Sequence, residues 1–171
     1  MARIPPQDRL QPSLLDRLTD DNPSQKREAQ ERRVLTMREL RESVLRDLAW
    51  LLNTGNLDTV ESLDAYPLVA ESTLNFGIPH LAGASTSTIE ASDMERRLRQ
   101  AIWRFEPRLL RDSVKVSLIP DQSSMNHNVL TFYIEGTLWA EPVPLDLFLK
   151  AEVDLEVGTY SVAEQGGREG L

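Results

Sequence analysis

The sequence predicts an α+β domain in which two principal helices pack on a small antiparallel sheet, with an extended N-terminal arm. Over 37–53 and again over 93–105, apolar residues recur at spacings of three and four, which is typical of amphipathic helices. After residue 111 they alternate with polar residues, which is typical of strands. Helices followed by a run of strands indicate an α+β fold.

Residues 1–33 are predicted to form the arm, which is interrupted by prolines and rich in mixed charge. Within it, Ser13 can cap a short helix that carries a small apolar face. That face consists of Leu14, Leu15 and Leu18. Since so short a helix is not stable in isolation, it should be ordered only when docked, either on this domain or on a partner.

The first principal helix is predicted over 37–53. Thr36 and Glu39 have the spacing of a capping box, and Asn53-Thr54-Gly55 ends the helix. Residues 56–91 are less regular. The second helix is predicted over 93–105, with Ser92 as its N-cap and Glu95 at the capping-box position, and it ends before Pro107.

Strands are predicted at 114–118, at 129–139 and at 152–157, the first two separated by a loop at 120–128. A two-residue turn at Gly158-Thr159 then leads into a last strand at 160–162. The α+β domain is therefore predicted to span 34–162, and 163–171 a flexible tail.

Charge is unevenly distributed along this acidic chain, whose net charge is −8. Residues 55–93 contain no Lys or Arg, whereas a basic island follows. Its members are Arg96, Arg97, Arg99, Arg104, Arg108, Arg111 and Lys115. An acidic chain is a poor general nucleic-acid binder. The island is either the solvated face of a helix or a surface for an acidic partner protein.

No residue pattern argues for catalysis, a metal or a cofactor. The chain has no cysteine, and His80 and His127 have no ligand at metal-binding spacing. Because carboxylates are numerous, a small hydrolase acting on peptidoglycan stays open as an alternative. No apolar run is long enough to span a bilayer, and the N-terminus lacks a signal peptide, so we expect a cytoplasmic protein.

One corner is distinctive, at Glu106-Pro107-Arg108, where the basic helix gives way to the sheet. Proline stiffens the main chain there, so an acid and a guanidinium are presented with little freedom. They could bind another chain, or they could form an intramolecular brace at the helix end.

Four blocks in order resemble the TssE family of type VI secretion baseplates, which is related to a wedge protein of contractile-phage baseplates. They are Arg46 to Thr54, Tyr66 to Gly83, Phe105-Glu-Pro-Arg-Leu109, and Phe132 to Leu138. The resemblance covers roughly residues 10–162.

The resemblance implies a non-enzymatic structural subunit without a cofactor. It would join the wedge beside TssF, TssG and TssK and nucleate the contractile sheath of TssB and TssC, in a baseplate docked at the inner face of the cytoplasmic membrane. The phage relative has been called lysozyme-like, but the matching motifs place no catalytic pair. The partner-binding residues are predicted to be Glu106, Pro107, Arg108, Arg104, Leu14, Leu15 and Leu18.

The resemblance and the strand pattern together suggest how the sheath would be met. An exposed edge of the sheet could accept strands from the first sheath subunits by β-augmentation. Glu152, Asp154 and Glu156 would then protect that edge in the free protein, because charge discourages unwanted strand pairing.

Overall fold

The computed structural model describes residues 13–19, 35–80, 90–119, 129–140 and 143–165. The α-helices there are α1 (Leu14–Leu18), α2 (Met37–Leu52), α3 (Pro67–Ala70) and α4 (Ala91–Phe105). The strands are β1 (Lys115–Ile119), β2 (Val129–Leu138), β3 (Leu145–Asp154) and β4 (Thr159–Glu164). Short 3₁₀ turns lie at Leu57–Thr59, Thr73–Asn75 and Arg111–Ser113. The predicted α+β class is confirmed. The predicted loop at 120–128, with His127, lies outside the described residues.

α2 begins where the local sequence predicts. The Glu39 N–H donates to Thr36 Oγ1 at 3.2 Å, and the Thr36 N–H donates to Glu39 Oε2 at 2.7 Å, which completes the capping box. After the helix, Gly77 adopts a φ of 120°. A Cβ there would lie 2.2 Å from the carbonyl oxygen of Thr54, so only glycine lets this segment pack against the helix end.

The predicted cap of α4 is wrong. Glu90 is the N-cap, and its side chain accepts no hydrogen bond from a backbone N–H of the helix. Ser92 lies inside the first turn, where its hydroxyl donates to Glu90 Oε1. Glu95 Oε1 accepts instead from the backbone N–H of Leu118 in β1, at 2.7 Å. The Glu95 carboxylate therefore forms a hydrogen bond with a distant strand instead of completing a capping box in its own helix.

The strands form one antiparallel meander in the order β1-β2-β3-β4. Phe132, in β2, is opposite Leu118 of β1 and Ala151 of β3, and it is fully buried. α2 packs beside β4, α4 packs beside β1, and the two helices contact each other. Their buried faces and the inner face of the sheet form one hydrophobic core.

The predicted hairpin turn is displaced by the structure. β3 ends at Asp154, so Leu155 to Gly158 form a four-residue turn. Asp154 Oδ1 accepts from the N–H groups of Glu156 and Val157, and Gly158 has a φ of 76°. The first half of β3, 145–150, is not among the predicted strands, although Leu147 and Leu149 alternate into the core.

The acids expected to protect a sheet edge do not lie on one. Glu152 and Asp154 belong to the central strand β3, and Glu156 lies in the turn. The edge strands are β1 and β4. On each of them, a side chain from near the end of a helix forms hydrogen bonds with the backbone of one residue. Glu95 accepts from Leu118 N–H on β1, as above. On β4, Asn53 Oδ1 accepts from Tyr160 N–H and Asn53 Nδ2 donates to Tyr160 O, both at 2.9 Å.

Asn53→Ala tests this connection between α2 and the sheet edge. The variant removes both bonds to Tyr160 and should lower the free energy of unfolding by about 1–3 kcal/mol, because two paired backbone groups lose their partner. Urea denaturation measures the loss, and hydrogen exchange at the Tyr160 amide should accelerate. Gln100→Ala, at an exposed helical position, is the control. Equal stability of the two variants would contradict the assignment.

Candidate partner-binding site

The Glu106-Pro107-Arg108 corner follows directly from the end of α4. Glu106 is the C-cap residue, with a φ of −120° and a ψ of 77°, because the following proline disfavours helical geometry. Its carboxylate is buried, with 3% of the residue exposed. Oε1 accepts from Arg108 N–H at 3.1 Å and from Arg108 Nε at 2.7 Å, while Oε2 accepts from Arg108 Nη2 at 2.5 Å. Arg108 thus compensates the buried charge.

Arg108 also joins the end of α4 to α2. Its Nη2 donates to Asp47 Oδ2 at 2.6 Å, and its Nη1 donates to Ser43 Oγ at 3.0 Å. Burial of the guanidinium would lower the pKa of Arg108, but the bonds to Glu106 and Asp47 outweigh it and raise that pKa. The corner therefore has the geometry of an internal brace, one of the two alternatives that the sequence leaves open.

The same network reaches α1. Asp47 Oδ1 accepts from Arg46 Nη2 at 2.8 Å, and Arg46 Nη1 donates to Asp16 Oδ1 on α1. Ser43 Oγ donates to Asp16 Oδ2 at 2.9 Å. The hydrogen bond from Arg46, assisted by those from Ser13 and Ser43, lowers the pKa of Asp16 well below its usual range, against the opposing effect of burial. A continuous chain of ion pairs runs from Glu106 to Asp16.

α1 is consequently docked on this domain by its polar side. Ser13 Oγ accepts from Asp16 N–H at 3.3 Å, which confirms the predicted cap. Leu14 and Leu18 are 72% and 75% exposed and point away from the body, whereas Leu15 of the same apolar face is 42% exposed. An open groove of about 460 Å³ separates α1 from the corner. Its apolar lining is Leu15, Leu48, Trp50, Leu51, Phe76, Phe105 and Pro107.

The structure divides the basic island among different partners. Arg96 and Arg97 both pair with Asp93, and exposed Arg104 donates from Nη1 to the carbonyl of Ala70 at 2.7 Å. Arg104 is therefore a separate contact, outside the network of the corner.

Sequence reasoning missed the partners of Arg108 and Asp16, namely Ser43, Arg46 and Asp47. Arg46 and Asp47 lie within the block Arg46 to Thr54 that resembles the TssE family, and this resemblance could have marked them as candidates.

The Glu106 carboxylate is engaged in internal hydrogen bonds. Arg108 engages both oxygens of Glu106, which does not present a general acid to a substrate cleft. Among the residues that the structure describes, no group of three or more His, Asp or Glu side chains could hold a metal ion. No helix in the described ranges is long and apolar enough to cross a membrane.

Comparison with protein-family models matches residues 38–143 to the family described as baseplate wedge protein gp25. The match spans more than half of the 171 residues and includes α4, β1, β2, the corner and all of α2 except its first residue. Comparisons with curated proteins and with solved structures found no match.

Arg108→Ala tests the brace. It should lower the free energy of unfolding by about 3–5 kcal/mol, because it leaves the buried Glu106 carboxylate without its cation. Urea denaturation measures the loss. Arg104→Ala removes the same charge from an exposed site and should cost no more than about 1 kcal/mol. A melting temperature that Arg108→Ala leaves unchanged would rule out a stabilising brace.

Asp16→Asn tests the docking of α1. Hydrogen exchange at the Thr19 amide should accelerate, because the variant loses the ion pair with Arg46. The pKa of Asp16 is lowered in the folded chain, so its stabilising effect is fully present above the ordinary value of 3.8 and is lost progressively as the pH falls from there toward the lowered pKa. Docking should therefore not change between neutral pH and 3.8 through this group. Arg17→Gln, on the exposed side of α1, is the control. Equal exchange in both variants would contradict ionic docking.

Proposed function

Since the chain belongs to the baseplate wedge protein gp25 family, we propose that it joins the wedge complex of a type VI secretion baseplate and nucleates sheath assembly through protein–protein contacts. The family match confirms the resemblance to TssE, the counterpart of gp25 in that system, and supports a structural role in a baseplate. The proposed partners are TssF, TssG and TssK in the wedge and TssB and TssC in the sheath. The proposed location is the cytoplasmic face of the membrane.

The exposed leucines of α1 carry the proposed wedge contact. Leu14 and Leu18 are among the most exposed large apolar side chains in the described part of the chain, yet Asp16 holds their helix in place. A pre-positioned apolar helix face suits packing against an apolar surface of another subunit, because the helix need not be ordered on binding. This is the observation that favours contact through α1.

The corner is proposed to serve partner binding beside α1. Pro107 is exposed, and the Arg108 side chain retains 23% exposure at the rim of the groove. Glu106, which is buried, would act by positioning Arg108 rather than by touching the partner. Arg104 would add a contact from the exposed side of α4.

The sheath contact is proposed at a sheet edge, by addition of a strand. On β4, the N–H and C=O of Tyr160 are directed toward Asn53, away from β3. Alternation along an antiparallel strand directs the backbone groups of Val162 and Glu164 to the same side. These two residues therefore offer the register in which an incoming strand would pair.

Co-expression with the neighbouring wedge and sheath proteins tests the proposal. The wild-type chain should co-purify with TssF, TssG and TssK, and Leu14→Ser with Leu18→Ser should abolish this without changing the melting temperature, because both side chains are solvent-exposed. Val60→Ser with Leu68→Ser, each at 83% exposure, is the control of matched polarity. Failure of the wild-type chain to co-purify would refute the wedge role, and co-purification of the leucine variant would refute the α1 contact. Cell-wall hydrolysis by the purified protein would favour the hydrolase alternative.

A further inference from the structure

Two arginines of the basic island converge on one indole. Arg99 and Trp103 are one turn apart on α4, and Arg111 lies in the 3₁₀ turn that precedes β1. The guanidinium carbon of Arg99 is 5.3 Å from the centre of the Trp103 ring, and that of Arg111 is 4.9 Å from it. Both distances are typical of cation–π interactions. Trp103 and Arg99 are half-buried, whereas Arg111 is exposed.

Neither of these arginines has an anionic partner within the described part of the chain. Arg46 differs in this respect. Its guanidinium carbon is 5.2 Å from the centre of the Trp50 ring, but its side chain also forms ion pairs with Asp16 and Asp47. Arg99 and Arg111 form no such ion pair among the described residues, and Arg99 Nε is buried without a hydrogen-bond acceptor. Two like charges beside one ring thus lack a counter-charge, and a bound anion would supply it.

We propose that Arg99, Trp103 and Arg111 form a binding site for a carboxylate on an acidic segment of a partner polypeptide. The planar guanidinium group can donate two parallel hydrogen bonds to a carboxylate. The indole restricts both arginines, so less side-chain freedom is lost when the anion binds. Trp103 is then a positioning residue, and the two guanidinium groups make the contact.

A polypeptide fits this site better than a nucleic acid. The chain carries a net charge of −8, and residues 55–93 contain no Lys or Arg. A chain of net charge −8 repels an extended phosphate backbone more strongly than it repels one or two carboxylates, so two arginines suit a short acidic segment. The inference rests on the proposed function only in that the chain acts by binding other polypeptides.

Titration of the purified full-length chain with a synthetic peptide of alternating Glu and Gly tests the site. The readout is the indole N–H signals of the three tryptophans in ¹H–¹⁵N spectra, assigned with single Trp→Phe variants. The Trp103 signal should shift saturably, those of Trp50 and Trp139 should not, and affinity should fall as salt rises. Arg99→Gln and Arg111→Gln should each weaken binding about tenfold, the effect of losing one charge-assisted contact.

Arg96→Gln is the matched control, because it removes the same charge from the same helix at an arginine already paired with Asp93. It should change affinity by less than about twofold. An equal loss of peptide affinity in all three variants would mean that only the overall charge matters, and it would overturn the proposal. Inorganic phosphate or a single-stranded oligonucleotide binding as tightly as the peptide would also overturn it, as would an unshifted Trp103 signal. Because no baseplate protein is used, failure here leaves the co-purification test unaffected.

Discussion

The ion pairs of Arg108 join the end of α4 to α2, the two principal helices of the described structure. The Glu106 carboxylate is buried at the end of α4, and a buried charge is tolerated only when it is paired and hydrogen-bonded. Arg108 meets that requirement with Nε, Nη2 and its own N–H, and it still reaches Ser43 and Asp47 on α2. The relative position of α2 and α4 is thus coupled to one guanidinium group.

The same arrangement explains why α1 turns its leucines outward. An amphipathic helix ordinarily buries its apolar face. Here Asp16 accepts hydrogen bonds from Ser43 and Arg46 on α2. Because Arg46 also pairs with Asp47, the network that contains Arg108 extends to Asp16. The brace and the proposed binding surface are therefore compatible, because ionic contacts directed inward leave Leu14 and Leu18 exposed. Internal stability and the proposed partner contact thus involve the same few side chains.

The two cation–π pairs of α2 and α4 illustrate how tertiary context assigns different roles to one local pattern. Arg46 and Trp50 are four residues apart, as are Arg99 and Trp103, and each arginine lies over its tryptophan ring. Arg46 is also neutralised by two carboxylates, whereas Arg99 is joined by a second cation, Arg111. The first pair belongs to the internal network, whereas the second has no ion pair among the described residues.

Local sequence by itself determined the bounds of α2, the cap of α1 and the strand character of β1 and β2, because capping boxes and alternating apolar residues act within a few positions. Only the tertiary structure determined the hydrogen-bond partner of Glu95, which accepts from the Leu118 N–H instead of capping its own helix. The same holds for the partners of Arg108 and Asp16, and for the central place of Glu152 in the sheet. Each of these depends on groups far apart in the chain, whose meeting is set by packing of the core rather than by local spacing.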